Sequence, residues 1–176
     1  MLAAILFVPD SVEAAVSVTI AKGSTKTQSV AAAGNTITVN LTGASNPVLR
    51  GKPSWISVSG RTVTVSKNTS ASSRSGDVVF QNGNSGPTYT LRVTQAAAQT
   101  VNVKFNNNGG SGNVPNKTYI VGNTYGSLPA GPTPPTGYSF AGWYTAASGG
   151  TKINTSSPYR HLTKRCMRII LRNPLK

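Results

Sequence analysis

The chain has 176 residues, with 17 Lys and Arg against 3 acids, a formal charge of +14, yet charged residues are only 11% of it. Soluble domains usually carry about a quarter, so Ser, Thr, Asn, Gln and Gly must cover the surface. Eighteen Gly and eleven Pro weigh against a helical bundle, and a carboxylate set of Asp10, Glu13 and Asp77, beside one imidazole (His161) and one thiol (Cys166), weighs against most hydrolytic enzymes.

Residues 1–15 open with Leu2-Ala-Ala-Ile-Leu-Phe-Val8, a short apolar stretch without the basic residues that precede a signal peptide core. They read either as a signal remnant or as an ordinary first strand. No apolar run approaches the roughly 20 residues of a membrane span. From residue 16 onward apolar and polar residues alternate, the period of a half-buried strand. The strands expected are Val16-Ser-Val-Thr-Ile20, Asn35-Thr-Ile-Thr-Val-Asn-Leu41, Trp55-Ile-Ser-Val58, Arg61-Thr-Val-Thr-Val65, Asp77-Val-Val-Phe80 and Thr88-Tyr-Thr-Leu-Arg-Val-Thr94. Ser59-Gly60 and the run from Asn82 to Gly86 are hairpin turns. Strands at this spacing predict an antiparallel β-sandwich over residues 16–97.

After the small-residue linker Ala96-Ala-Ala-Gln99, a second unit spans residues 98–158. Its strands are expected at Val101-Asn-Val-Lys-Phe105, Lys117-Thr-Tyr-Ile-Val121 and Tyr138-Ser-Phe-Ala-Gly-Trp-Tyr144, separated by Gly-, Asn- and Pro-rich loops. A unit this small has a thin core and leans on its aromatics. Residues 159–176 form a different, basic tail with Arg160, Lys164, Arg165, Arg168, Arg172 and Lys176 and no acid. Without them the chain keeps 11 basic residues against 3 acids, scattered over strands and loops, which weighs against nucleic acid as a partner.

Several runs resemble known families. Pro53-Ser-Trp-Ile-Ser-Val58, Thr62-Val-Thr-Val65, Asn68, Arg74-Ser-Gly76 and Leu91-Arg-Val-Thr-Gln95 resemble a BACON domain, an Ig-like sandwich module of secreted proteins in gut Bacteroidetes. Val103-Lys-Phe-Asn-Asn-Asn-Gly-Gly110, Tyr125-Gly126, Leu128-Pro129 and Gly137-Tyr-Ser-Phe-Ala-Gly-Trp-Tyr144 resemble the Listeria–Bacteroides, or internalin B-type, repeat. Together the resemblances imply a mainly β chain, an Ig-like antiparallel sandwich followed by a small β-grasp-like module. That repeat normally ends in a closing strand with an aliphatic–Tyr–Ala segment, which the tail does not spell. A shifted reading frame accounts for the tail, since one permitted translation, V-S-A-S-D-K-A-L-Y-A, restores the family's segment. The coding DNA decides this. On that reading the second unit lacks its closing strand and leaves a sheet edge unpaired.

The candidate sites are set against plainer roles. General acid–base work needs positioned groups with tuned pKa values, and the isolated Asp77 reads as a strand-edge residue. His161 and Cys166 have no accompanying pattern of a nucleophile or metal site. No catalytic residue, metal ligand or cofactor is expected. Trp55, Ile56, Val58, Phe80, Phe140 and Trp143 are assigned to the cores, and Tyr89, Tyr119, Tyr125 and Tyr144 are the candidates for exposed ligand contact. The resemblances imply a non-enzymatic extracellular or cell-surface protein for adhesion, for binding carbohydrate or mucin glycoprotein, or for spacing other domains. The alternative is a phage virion decoration or fibre protein at the virion surface, where the partners would be further copies of the chain or capsid and fibre proteins.

Overall fold

The computed structural model describes residues 14–148, 150–157 and 159, together with the backbone of 167–172. The chain divides into two units, Met1–Ala98 and Gln99–Lys176. The N-terminal apolar stretch, His161 and Cys166 lie outside the described residues, as do Asp10 and Glu13. Every regular element among the described residues is a strand, so the fold is mainly β.

The first unit is a sandwich of two four-stranded sheets. One contains β1 (Val16–Ile20), β3 (Asn35–Leu41), β6 (Thr62–Val65) and β5 (Ile56–Ser59), in that spatial order. The other contains β2 (Thr25–Val30), β8 (Thr88–Gln95), β7 (Arg74–Asn82) and β4 (Pro47–Gly51). Alternation decides which side chains go inward. In β8, Tyr89, Leu91, Val93 and Gln95 are buried while Thr88 and Arg92 are exposed. Ile20, Ile37, Val39, Val63, Val78, Phe80, Tyr89, Leu91 and Val93, drawn from both sheets, meet in one cluster with 2% exposure or less. Ile56 and Phe80 take the core places that the sequence assigns them, and Val58 and Trp55 pack against that core half-buried.

Two points correct the sequence reading. The sandwich is not wholly antiparallel: β1 runs parallel to β3 and β2 parallel to β8. The turn from Ala21 to Ser24 carries the chain from one sheet to the other, so β1 and β2 never pair as a hairpin and each finds a parallel partner. The strands β2 and β4 also fall in segments where no strand is expected. In β2 the sequence Thr-Lys-Thr-Gln-Ser-Val is polar on both faces, and only Val30 is buried. An edge strand needs no apolar alternation, because half its surface is solvated. Lys26 pairs with inward-facing Leu91, and a charge on the core side of an edge discourages pairing with other chains. In β4, Pro47 opens the strand and a bulge separates Leu49 from Gly51, devices that suit an edge.

The residues of the first resemblance converge at one end of this sandwich. The Gln95 side chain, 1% exposed, donates to the carbonyl oxygens of Ala31 (3.2 Å), Ala32 (3.3 Å) and Ser66 (2.9 Å). It accepts from Arg74 Nε at 2.8 Å. The Arg74 guanidinium also donates to the Ser66 and Lys67 carbonyls and lies 4.4 Å from the centre of the Trp55 ring. Buried Asn68 ties Ser72 and Ala96 together from its amide. Gly76 lets Pro53 and Trp55 approach, since a Cβ there would sit 2.4 Å from Pro53 Cγ. The pattern therefore specifies a structural knot, in which each buried polar group is answered.

The second unit contains β9 (Thr100–Val103), β10 (Phe105–Asn106), β11 (Lys117–Ile120), β12 (Ser139–Tyr144) and β13 (Met167–Arg172). β9 and β11 form an antiparallel pair, and a three-stranded sheet runs β10, β13, β12. The expectation that this unit lacks its closing strand is therefore corrected. Met167–Arg172 lies between β10, to which it is parallel, and β12, to which it is antiparallel. The basic tail contains the run Met167-Arg-Ile-Ile-Leu-Arg172, whose β-branched and aliphatic residues favour a strand.

Candidate functional site

Three of the four tyrosines nominated for exposed contact are buried: Tyr89 at 1%, Tyr119 at 4% and Tyr125 at 7% exposure. Tyr89 lies on the inward face of β8, with its hydroxyl donating to the Thr42 carbonyl at 3.1 Å. Tyr119, Tyr125 and Tyr159 pack ring against ring, with centroids 5.1 to 5.8 Å apart. The physical reason is the thin core: a unit with few aliphatic residues fills its interior with rings. Tyr144 alone of the four is half-exposed.

This cluster carries a strain of its own. Among the described residues, the Tyr119 hydroxyl is buried without a hydrogen-bond partner. Burial first, and the neighbouring Tyr125 second, push its pKa up to about 12. Burial likewise pushes Tyr125 and Tyr159 up. A group whose pKa is higher folded than unfolded adds stability fully present below its unfolded value, lost as pH rises through the folded one. The second unit is therefore expected to melt between about pH 10, the unfolded tyrosine value, and pH 12. Tyr119→Phe should blunt that transition and raise stability at pH 7 by about 1 kcal/mol, because it deletes an unanswered buried hydroxyl. Thermal melts of both proteins from pH 7 to 12 check it, and identical pH profiles would refute it.

Trp143, 2% exposed, anchors the same unit. Its indole N–H donates to the Pro129 carbonyl at 3.0 Å, and Phe105 meets it edge to face at 4.7 Å. Phe140 does not join it inside, which corrects its assignment to the core. A register shift between them sets Phe140 opposite Leu171 and Trp143 opposite Ile169, so the two share a face, but Phe140 stands near the start of β12 where less of the core covers it. Phe140 stays 37% exposed at the rim, 5.6 Å from the Trp143 ring. Its other support is Gly131, where a Cβ would lie 2.5 Å from the Phe140 ring. Phe140 thus clasps the proline-rich loop.

Next to it, Tyr138 is 48% exposed. It follows the turn at Thr136-Gly137, and its backbone N–H bonds the Pro135 carbonyl at 3.1 Å. Sequence reasoning passed over Tyr138. The signal available was its place directly after the Thr136-Gly137 turn and before the first residue of β12. These two are the large apolar side chains that the second unit exposes among its described residues.

Residues 102–163 match the family model of the Listeria-Bacteroides repeat domain. The repeat occurs in surface and extracellular proteins. The matched span takes in the Tyr–Tyr–Tyr cluster, Trp143 and the exposed Tyr138–Phe140 pair, and it ends before β13. No curated protein matches the chain.

The described carboxylate of the first unit is committed elsewhere. Asp77, the single carboxylate side chain among the described residues, receives Arg92 Nε at 2.8 Å and Nη2 at 2.9 Å. That hydrogen bonding holds its pKa below the ordinary carboxylate value. Among the described residues no three His, Cys, Asp or Glu side chains gather, and no helix is long and apolar enough to cross a membrane.

Proposed function

We propose that this chain is a non-enzymatic, surface-displayed extracellular module that adheres to glycans through its second unit. The observation that supports this is the exposed pair Tyr138 and Phe140, held on the repeat-like unit by Gly131, Trp143 and the Pro135 carbonyl. Exposed aromatic surface of this kind serves recognition, because a ring offers an apolar face at little cost in side-chain entropy. The apolar C–H face of a pyranose is the matching shape. The non-enzymatic reading draws on Asp77, whose carboxylate is ionised and paired with Arg92, the opposite of a poised general base.

The first unit, on this reading, is a BACON-like domain, because the residues of that pattern form one knot around Gln95, Arg74 and Trp55. Those side chains hold the sandwich together and are not offered to a ligand. Glycan arrays probed with the full chain test the proposal. Binding to neutral pyranose polymers should weaken about tenfold in Tyr138→Ala, the loss of one stacking ring, with unchanged thermal stability. No signal above background, or equal binding by the variant, would refute it.

A further inference from the structure

The sandwich presents a second, chemically different surface. Four turns meet at the end opposite the Gln95 knot. The Gly23 N–H bonds the Thr88 carbonyl at 3.0 Å, the Thr42 N–H bonds the Ile20 carbonyl at 3.0 Å, and the Gly83 N–H bonds the Asn46 carbonyl at 2.7 Å. Three cations stand on these turns or reach onto them. Lys22 lies beside Gly23 and is exposed. Arg61 donates to the Ala44 carbonyl at 3.4 Å. Arg50 donates to Gln81 Oε1 and the Gly83 carbonyl at 2.8 Å and to Asn84 Oδ1 at 3.2 Å.

None of these acceptors is charged. Backbone carbonyls and amides fix the guanidinium groups in place without neutralising them, so each remains a preorganised donor for a planar oxyanion. The unit's described carboxylate, Asp77, lies five residues along β7 from Asn82, about 17 Å away at strand rise, beyond the reach of ordinary screening lengths. It is also paired with Arg92. A concentration of one sign of charge attracts its opposite over the whole approach path.

We infer that this turn cluster binds a sulfated or carboxylated polysaccharide. Its cations are interleaved with Ser45, Asn46, Asn82, Asn84 and Ser85, side chains suited to sugar hydroxyls. The described aromatic rings of the first unit are Trp55 at the far end and the buried Phe80 and Tyr89. None is placed here for a base to stack on, which favours an anionic glycan over a nucleic acid.

Surface plasmon resonance of the full chain on immobilised heparin and chondroitin sulfate tests this, with melting temperatures confirming that each variant folds. The double variant Lys22→Gln/Arg61→Gln is expected to bind at least about fivefold more weakly, and Lys22→Glu, a reversal in an exposed turn, to lose about as much. Lys52→Gln at the opposite end and Tyr138→Ala in the aromatic site should change affinity by less than about twofold. Equal binding by the turn variants overturns the proposal, as does an equal loss in Lys52→Gln, which would mean diffuse charge. Undiminished binding to heparin both desulfated and carboxyl-reduced, or displacement by duplex DNA at lower concentration than by heparin, overturns the assignment of the polyanion. Absence of neutral-glycan binding by the unsubstituted chain, with heparin binding present, would sink only the aromatic site.

Discussion

Trp143→Ala is expected to unfold the second unit while the first stays folded. The indole fills the centre of a core made of Val103, Phe105, Tyr119, Tyr125, Ile153 and Tyr159. It also satisfies the Pro129 carbonyl, which tethers the proline-rich loop. Truncating a buried Trp to Ala costs about 3–5 kcal/mol, and a unit of this size commands about 5 kcal/mol at most. The first unit has its own cluster of buried residues and shares none of these. Amide hydrogen exchange reads the outcome directly: protection should vanish from β9, β11 and β12 and persist in β3, β7 and β8. Retained protection in β12 would show that the ring is dispensable. Trp143→Phe keeps most of the packing and should cost far less.

The second large effect concerns Gln95. Gln95→Met keeps the length of the side chain but removes its amide, with one accepting oxygen and one donating nitrogen. The Arg74 Nε–H then loses its partner, while the carbonyls of Ala31, Ala32 and Ser66 lose the Gln95 amide but keep the Gly34 N–H, the Asn68 N–H and Arg74 Nη2. Leaving a charged, half-buried donor unanswered and removing three bonds that bridge Ala31, Ala32 and Ser66 costs about 2 kcal/mol. The urea midpoint of the first unit should fall accordingly at unchanged slope. Asp77→Asn provides the contrast. Its ion pair with Arg92 is direct and bidentate but exposed, and such pairs contribute less than about 1 kcal/mol. If the two substitutions cost the same, the knot at the sandwich end does not have the role given to it here.

Much of this was readable in the residues. Strands with one apolar face, such as Asn35–Leu41 and Thr88–Gln95, announce themselves because burial enforces a period of two. The edges β2 and β4 were hidden because an edge strand needs neither alternation nor unbroken pairing. The contact tyrosines were misjudged for a related reason. A phenol suits both a surface and an interior, and only the scarcity of aliphatic residues in the second unit tips Tyr119 and Tyr125 inward. Phe140 does share a face with Trp143, across a shift in register, but its place near the start of β12 leaves it exposed. The knot around Gln95 was visible as a pattern, but its members are distant in sequence, and only folding shows that they answer one another. The cations of the turn cluster were counted in the net charge without being located, since hydrogen bonds to carbonyls leave no trace in composition.

The place of β13 in its sheet has a consequence for how the chain is made. A polypeptide emerges N-terminus first, and the first unit has all its strands by residue 95. It can fold while the rest is still being synthesised or exported. The second unit cannot, because Phe105 pairs with Met167 and the strand between β10 and β12 arrives last. Until then β10 and β12 have no shared neighbour, and closure of so long a loop is slow. A finished sandwich thus precedes an unfinished partner during biogenesis, and any factor that holds nascent chains open should matter for residues 99–172 alone.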